Sequence, residues 1–198
     1  IHSYLSDRKS NHALGMRDFL EPEAPCVART FQQAGYTTGH FGKWHMGGGR
    51  DVGEAPLPQS YGFAESYTSF EGLGDRVLIT EDSLSRQNAE LGRGRIDWAP
   101  KHKLTEIYVD RTIDFIRRNK GKPFYIHLWP SDVHDEHIPR PDLMAKYEKF
   151  AANPYVQRFY AVLDEFDRQM GRLLAALDEQ GLADQTLVAI TGDNGPTA

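Results

Sequence analysis

Gly35-Tyr36-Thr37-Thr38-Gly39-His40-Phe41-Gly42-Lys43-Trp44-His45-Met46-Gly47-Gly48-Gly49 is the stretch on which the reading of this chain turns. Tyr36 to Phe41 is a short run able to form a strand. It empties into Gly42-Lys43-Trp44-His45 and then into three glycines, where backbone can turn sharply and approach a ligand closely. In extended chain, residues two apart point to the same side. Lys43 and His45 are therefore expected to address one anionic group together, a fixed cation beside a titratable imidazole.

Working outward, Ala24 to Gly35 reads as a short helix, with Pro25 in its first turn, Gly35 as its stop, and Val27, Phe31 and Ala34 at helical spacing. Downstream, from Gly47 to about Lys103, periodicity is lost in Gly, Pro, Ser and acidic residues. A stretch of that length reads as a functional loop or insertion, at about 49–103. Its basic cluster, Arg93, Arg95, Lys101, His102 and Lys103, reads as a solvated charged loop. Leu104 to Asn119 carries a helical stripe (Leu104, Tyr108, Thr112, Phe115, Ile116), and Pro123 to Trp129 is a short, aromatic, buried strand. The loop after it holds His134 and His137. Asn153 and Pro154 open the longest helix, with Val156, Phe159, Leu163, Phe166, Met170, Leu173 and Leu177 as one apolar stripe. Thr186 to Thr191 is an apolar run expected to be a strand, closed by Gly192-Asp193-Asn194-Gly195.

Strands that alternate with helices and carry apolar runs indicate an α/β fold with a parallel sheet covered on both faces. Ligands in such sheets bind beyond the carboxyl ends of the strands. The three strands read here end in Lys43/His45, His134/His137 and Asp193/Asn194, so the candidate chemistry converges on one rim.

The 198 residues, 39% hydrophobic, suit a single domain over 1–198. A net charge of −5 makes nucleic acid an unexpected partner, and no apolar run reaches the about 18 residues of a membrane span. The first residue, Ile1, and the end shortly after an apolar run read as an internal fragment. The single cysteine, Cys26, excludes an internal disulfide framework.

Asp193 and Asn194 offer neighbouring oxygen donors of the kind that suit calcium or magnesium better than zinc. With a cation, a lysine and histidines on the rim, the implied substrate is an ester of a tetrahedral oxyanion: cations bind its oxygens and a histidine handles the leaving group's proton. His127 reads as a core histidine, His2, His12 and His102 as exposed, and Trp44 as packing.

These residues resemble the sulfatases. GYTTGHFGKWHMG is similar to that family's Gly-Tyr-x-Thr-x-x-x-Gly-Lys-Trp-His-x-Gly signature, PFYIHLWPSDVH to its strand and loop ending in a histidine, and LVAITGDNG to its strand ending in Asp-Asn-Gly. The resemblance implies an alkaline-phosphatase-like α/β/α sandwich with a mostly parallel central sheet. It also implies hydrolysis of a sulfate monoester, on a sulfated small molecule or a sulfated glycan. By carry-over, Asp193 and Asn194 are metal ligands for Ca2+, ahead of Mg2+. Lys43 binds sulfate and the nucleophile's oxygen, His45 acts on the nucleophile's hydroxyl to release sulfate, and His134 contacts the sulfate and the leaving oxygen. His137-Ile138-Pro139 offers a second fit to the loop histidine. The family's nucleophile is a formylglycine made in a Cys/Ser-x-Pro-x-Arg motif. Cys26-Val27-Ala28-Arg29 lacks that proline, so Cys26 is a plain helical thiol and the formylglycine and its paired aspartates are expected upstream of Ile1. The resemblance implies a periplasmic, secreted or lysosomal setting. A phosphodiesterase or phosphonate hydrolase with the same rim, and a non-catalytic binder of sulfated glycans, remain as alternatives.

Overall fold

The computed structural model describes residues 8–47, 52–134 and 136–192. Its centre is one five-stranded sheet: β1 (Thr37–Lys43), β2 (Glu65–Ser69), β3 (Arg76–Ile79), β4 (Ile96–Ala99) and β5 (Phe124–Trp129), in the spatial order β4-β3-β2-β1-β5. Every pairing is parallel, as expected for strands joined by crossovers. Strands β2 to β4 add successively on one side of β1, and β5 adds on the other. The order therefore reverses between β1 and β5, and this is where open parallel sheets place ligands.

The helices are α1 (Arg8–Ala13), α2 (Val27–Gln33), α3 (Ser83–Glu90), α4 (Leu104–Asn119), α5 (Pro141–Lys146) and α6 (Pro154–Glu179). One face of the sheet is covered by α4: Leu104, Tyr108 and Phe115 form a buried cluster with Phe41, Tyr67, Val77 and Ala99. The far side of α4, Val109 and Ile113, packs on Ala176, Met170 and Leu173 of α6. On the opposite face Ala28 of α2 joins Trp44, Tyr61 and Phe63. Alternation along β1 produces the division, with Phe41 toward α4 and His40 toward the aromatic face. This is the α/β, parallel-sheet architecture expected from the sequence.

Three expectations change. The stretch read as irregular, 49–103, carries β2, β3, α3 and β4 in its described part. Its strands are four or five residues long, too short for periodicity to declare them, and tertiary packing decides their state. The apolar run Thr186–Thr191 takes no place in the sheet: Leu187 is 95% and Ile190 67% exposed. A strand is made by its pairing partner, and among the described residues none lies alongside this run. Finally, the buried face of α6 includes Val162, Glu165 and Gln169 while Leu163 is partly exposed, so it is less purely apolar than its stripe. Glu165 is held there by Arg168 and Gln169.

Candidate active site

The signature stretch is shaped by close approach. β1 runs two residues further than the sequence suggested, so Lys43 is its last residue. Gly42, opposite Trp129 in β5, has φ +122°, and a Cβ there would collide with the Trp129 carbonyl. Only glycine reaches that conformation without strain. Beyond β1 the pairing with β2 continues, Trp44 N–H donating to Ser69 O (2.9 Å) and His45 N–H to Phe70 O (3.0 Å). Trp44 is buried against His40, Tyr61 and Phe63, the packing role read from the sequence. His40 Nε2 lies 3.1 Å from Lys43 O and braces the turn from below.

This turn does not follow simple strand alternation. His45 has φ +51°, in the left-handed region, so its side chain is set by the turn and by what it touches. Its ring meets Phe70 edge-on with centroids 4.8 Å apart, while Lys43 Nζ sits 5.1 Å from the centre of the same ring. Lys43 and His45 are thus brought together around Phe70. His45 Nε2 also lies 3.7 Å from Glu71 Oε2. Phe70 and Glu71 themselves have φ of +46° and +61°. Left-handed non-glycine residues cost about 1–3 kcal/mol each and persist where surrounding structure holds them. Of the four described non-glycine residues with positive φ, three meet at this corner. The sequence carries no signal for such a conformation at either residue.

The loop after β5 reaches the same rim. Lys101, in the turn before α4, donates to His134 O (3.1 Å) and Glu136 O (2.6 Å). Thr105 Oγ1 of α4 donates to Asp132. Burial pushes the Asp132 carboxyl up to about 6, although the Thr105 hydrogen bond opposes this. The loop is thereby tied to the start of α4, and His134 is left exposed on it. His137 differs: it is 5% exposed, lies between Tyr155 and Phe159 of α6, and approaches Val133 O at 3.3 Å. Packing turns it toward the helix, so of the two loop histidines His134 is the one on the open rim.

Two further histidines lie beneath the site. His40 is fully buried, and burial, together with the neighbouring His127, pushes its imidazole down to about 3. Burial pushes His127 down to about 4, and its Nε2 pairs with the Tyr125 hydroxyl. Both are neutral at neutral pH and part of the aromatic layer, as the core reading of His127 anticipated. The basic residues of 93–103 are dispersed: Arg93 binds Gly53 O and Ala55 O, Arg95 pairs with Asp97, and Lys103 pairs with Glu106. Cys26 is a half-buried thiol at the cap position before α2, one step outside the helix.

Among the described residues no three His, Cys, Asp or Glu side chains gather as a metal centre. The expected metal ligands Asp193 and Asn194 lie outside the described residues. No described helix is long and apolar enough to cross a membrane.

A family model described as Sulfatase matches residues 4–198. The chain belongs to the sulfatase family. Among curated sulfatases, an N-acetylgalactosamine-6-O-sulfatase of Bacteroides thetaiotaomicron is 26% identical, over 88% of this chain and 43% of its own length. Arylsulfatase A of Bos taurus is 27% identical over 86% of this chain and 35% of its own. The chain therefore spans less than half the length of either relative. Two solved structures share the fold. One, from work on glycosaminoglycan metabolism by B. thetaiotaomicron, superposes with a TM-score of 0.62 at 21% identity, covering 86% of this chain and 45% of that one. The other, Ps i-CgsB in complex with k-i-k-neocarrahexaose, has a TM-score of 0.65 at 19% identity, covering 83% and 38%. The alkaline-phosphatase-like α/β fold implied by the sequence is thus the fold of this chain, shared with these two neighbours.

Proposed function

We propose that the protein hydrolyses a sulfate monoester carried on a sulfated glycan. One observation carries the reading: in a sulfatase-family chain, Lys43 and His45 at the end of β1 and His134 beyond β5 lie on the same sheet edge, at the point where strand order reverses. The Lys43 ammonium binds sulfate oxygens as a fixed cation, offsetting the charge that grows there in the transition state. His45 acts on the nucleophile's hydroxyl to release sulfate from it, and His134 hands a proton to the leaving sugar oxygen. A formylglycine would supply that hydroxyl. Calcium, held by Asp193 and Asn194 with further carboxylates, would draw electron density from the sulfate oxygens when bound. Glycan as the carrier is supported by the relatives: one is an N-acetylgalactosamine-6-O-sulfatase and one solved neighbour holds a neocarrahexaose.

The test uses the full-length protein, produced with a formylglycine-generating enzyme, on a sulfate ester and a phosphate ester of the same alcohol, with and without calcium. The proposal expects calcium-dependent sulfate release in clear excess over phosphate release. Phosphate release without sulfate release moves the protein to the phosphoester hydrolases of the same superfamily.

A further inference from the structure

We propose that Glu71, two residues beyond β2, is a positioning residue that fixes the imidazole of His45. The inference deepens the hydrolase reading above and rests on it for the role of His45. Glu71 belongs to none of the stretches that mark the family resemblance, and the structure alone brings it to the site.

Three observations combine. First, the backbone of Glu71 and of its neighbour Phe70 is left-handed, an outlier for side chains of this size. His45, across the gap, is left-handed as well. A bond from His45 N–H to Phe70 O (3.0 Å) locks the two turns to each other. Strain of this kind, gathered at one corner, is a mark of a functional constraint. Second, His45 Nε2 and the Glu71 carboxylate lie 3.7 Å apart. That separation is longer than a hydrogen bond, and catalytic contacts commonly tighten when substrate closes a site. Third, the two partners differ in exposure, the Glu71 side chain being 15% exposed and His45 52%. A mostly covered carboxylate is a fixed post, and the more exposed imidazole is the group it fixes.

The chemistry follows from charge. Nearby carboxylate favours the protonated imidazole, so Glu71 supports His45 once it has taken a proton. The same negative charge repels a sulfate ester. Loss of the charge therefore lowers turnover without weakening substrate binding. A residue that contacted substrate hydroxyls, or one needed only for folding, would behave otherwise.

The experiment compares Glu71→Gln and Glu71→Gly with the unsubstituted full-length protein, with two kinds of readout. In the first, the 15N and 1H signals of the His45 ring are followed by NMR, assigned through His45→Asn, with no turnover required. In the second, kcat and KM are measured for sulfate release from a 6-sulfated N-acetylgalactosamine oligosaccharide. We expect the His45 ring signals to shift in both variants, kcat to fall about fivefold, and KM to stay level or decrease. Glycine accepts positive φ freely, so Glu71→Gly is expected to melt no lower than the parent while losing the same turnover. A folded Glu71→Gln with unmoved His45 signals overturns the proposal. So does a rise in KM at constant kcat, which would make Glu71 a substrate contact. If the unsubstituted protein releases no sulfate yet its His45 signals respond to Glu71→Gln, the pairing is supported and the hydrolase reading is what fails.

Discussion

Replacing Gly42 by alanine probes the link between the sheet and the site. The substitution adds one methyl group, at a position where the backbone has φ +122° and where an added Cβ would lie 2.7 Å from the Trp129 carbonyl carbon. Two costs add. The backbone must hold a conformation that L-residues avoid, worth about 1–3 kcal/mol. Relief of the collision must also push β5 from β1, an overpacking cost of about 1–3 kcal/mol. A flexible side chain could swing aside, but backbone paired in register to β1 cannot. The total, about 2–6 kcal/mol, is a large part of the 5–15 kcal/mol that holds a typical domain together. Urea unfolding followed by fluorescence and by circular dichroism measures it, with Gly39→Ala as a comparison. Gly39 faces side chains, Phe41 and Phe115, rather than backbone, and its replacement is expected to cost less. A Gly42→Ala protein within about 0.5 kcal/mol of the parent would refute the close-approach argument for the shape of this turn.

Arg76 is fully buried and donates to Asn88 Oδ1, Asn88 O, Gly74 O and Arg93 O. Arg76→Met keeps the stem but leaves those buried acceptors without a donor, so a loss of about 3 kcal/mol is expected in the urea midpoint; a neutral result would show that water or other donors replace the guanidinium. The pH dependence of stability has two opposed contributions. His40 and His127 have folded values near 3 and 4, below the usual 6.5. The unfolded chain thus binds more protons between those limits, and stability falls as pH drops from 6.5 toward 4. Asp132 acts oppositely: its value of about 6 lies above the usual 3.8, so the folded state holds the extra proton and stability falls as pH rises from 4 through 6. Asp132→Asn is accordingly expected to steepen the decline on acidification and His40→Phe to flatten it, as read from thermal melts between pH 4 and 7. Unchanged slopes in both would contradict the assigned burial.

The sequence disclosed the elements with long or distinctive patterns. α4 begins at Leu104 and ends at Asn119 as its stripe indicates, and α6 opens with Asn153 capping Val156 N–H and Pro154 in its first turn. β1 and β5 stood out because β-prone residues are bounded by glycine or proline. β2, β3 and β4 did not, because Glu65-Ser66-Tyr67-Thr68-Ser69 alternates no more than a loop does and Arg76 looks like an exposed charge. Their burial comes from partners distant in sequence. Thr186–Thr191 erred in the other direction: strong β-propensity is not a strand without an edge to pair with. At the site, Lys43, His45 and His134 were legible as polar residues at strand ends. The separation of His134 from His137 needed α6, whose Tyr155 and Phe159 enclose the latter. Phe70 and Glu71 were hidden because left-handed backbone at a non-glycine residue leaves no compositional trace. Lys101 was visible only as one of a basic group, and its bond to the His134 carbonyl depends on the folded loop.

The central claim is that the rim at the end of β1 binds and cleaves a sulfate ester through Lys43. Its most direct test is inorganic sulfate released from a panel of sulfated glycan oligosaccharides, measured by ion chromatography for the full-length protein and its Lys43→Ala variant, both formylglycine-loaded and with matched melting temperatures. The account expects release by the parent and a loss of about 10²–10³-fold in kcat/KM for the variant, the usual effect of removing one transition-state charge partner. Equal release by the two proteins would contradict it.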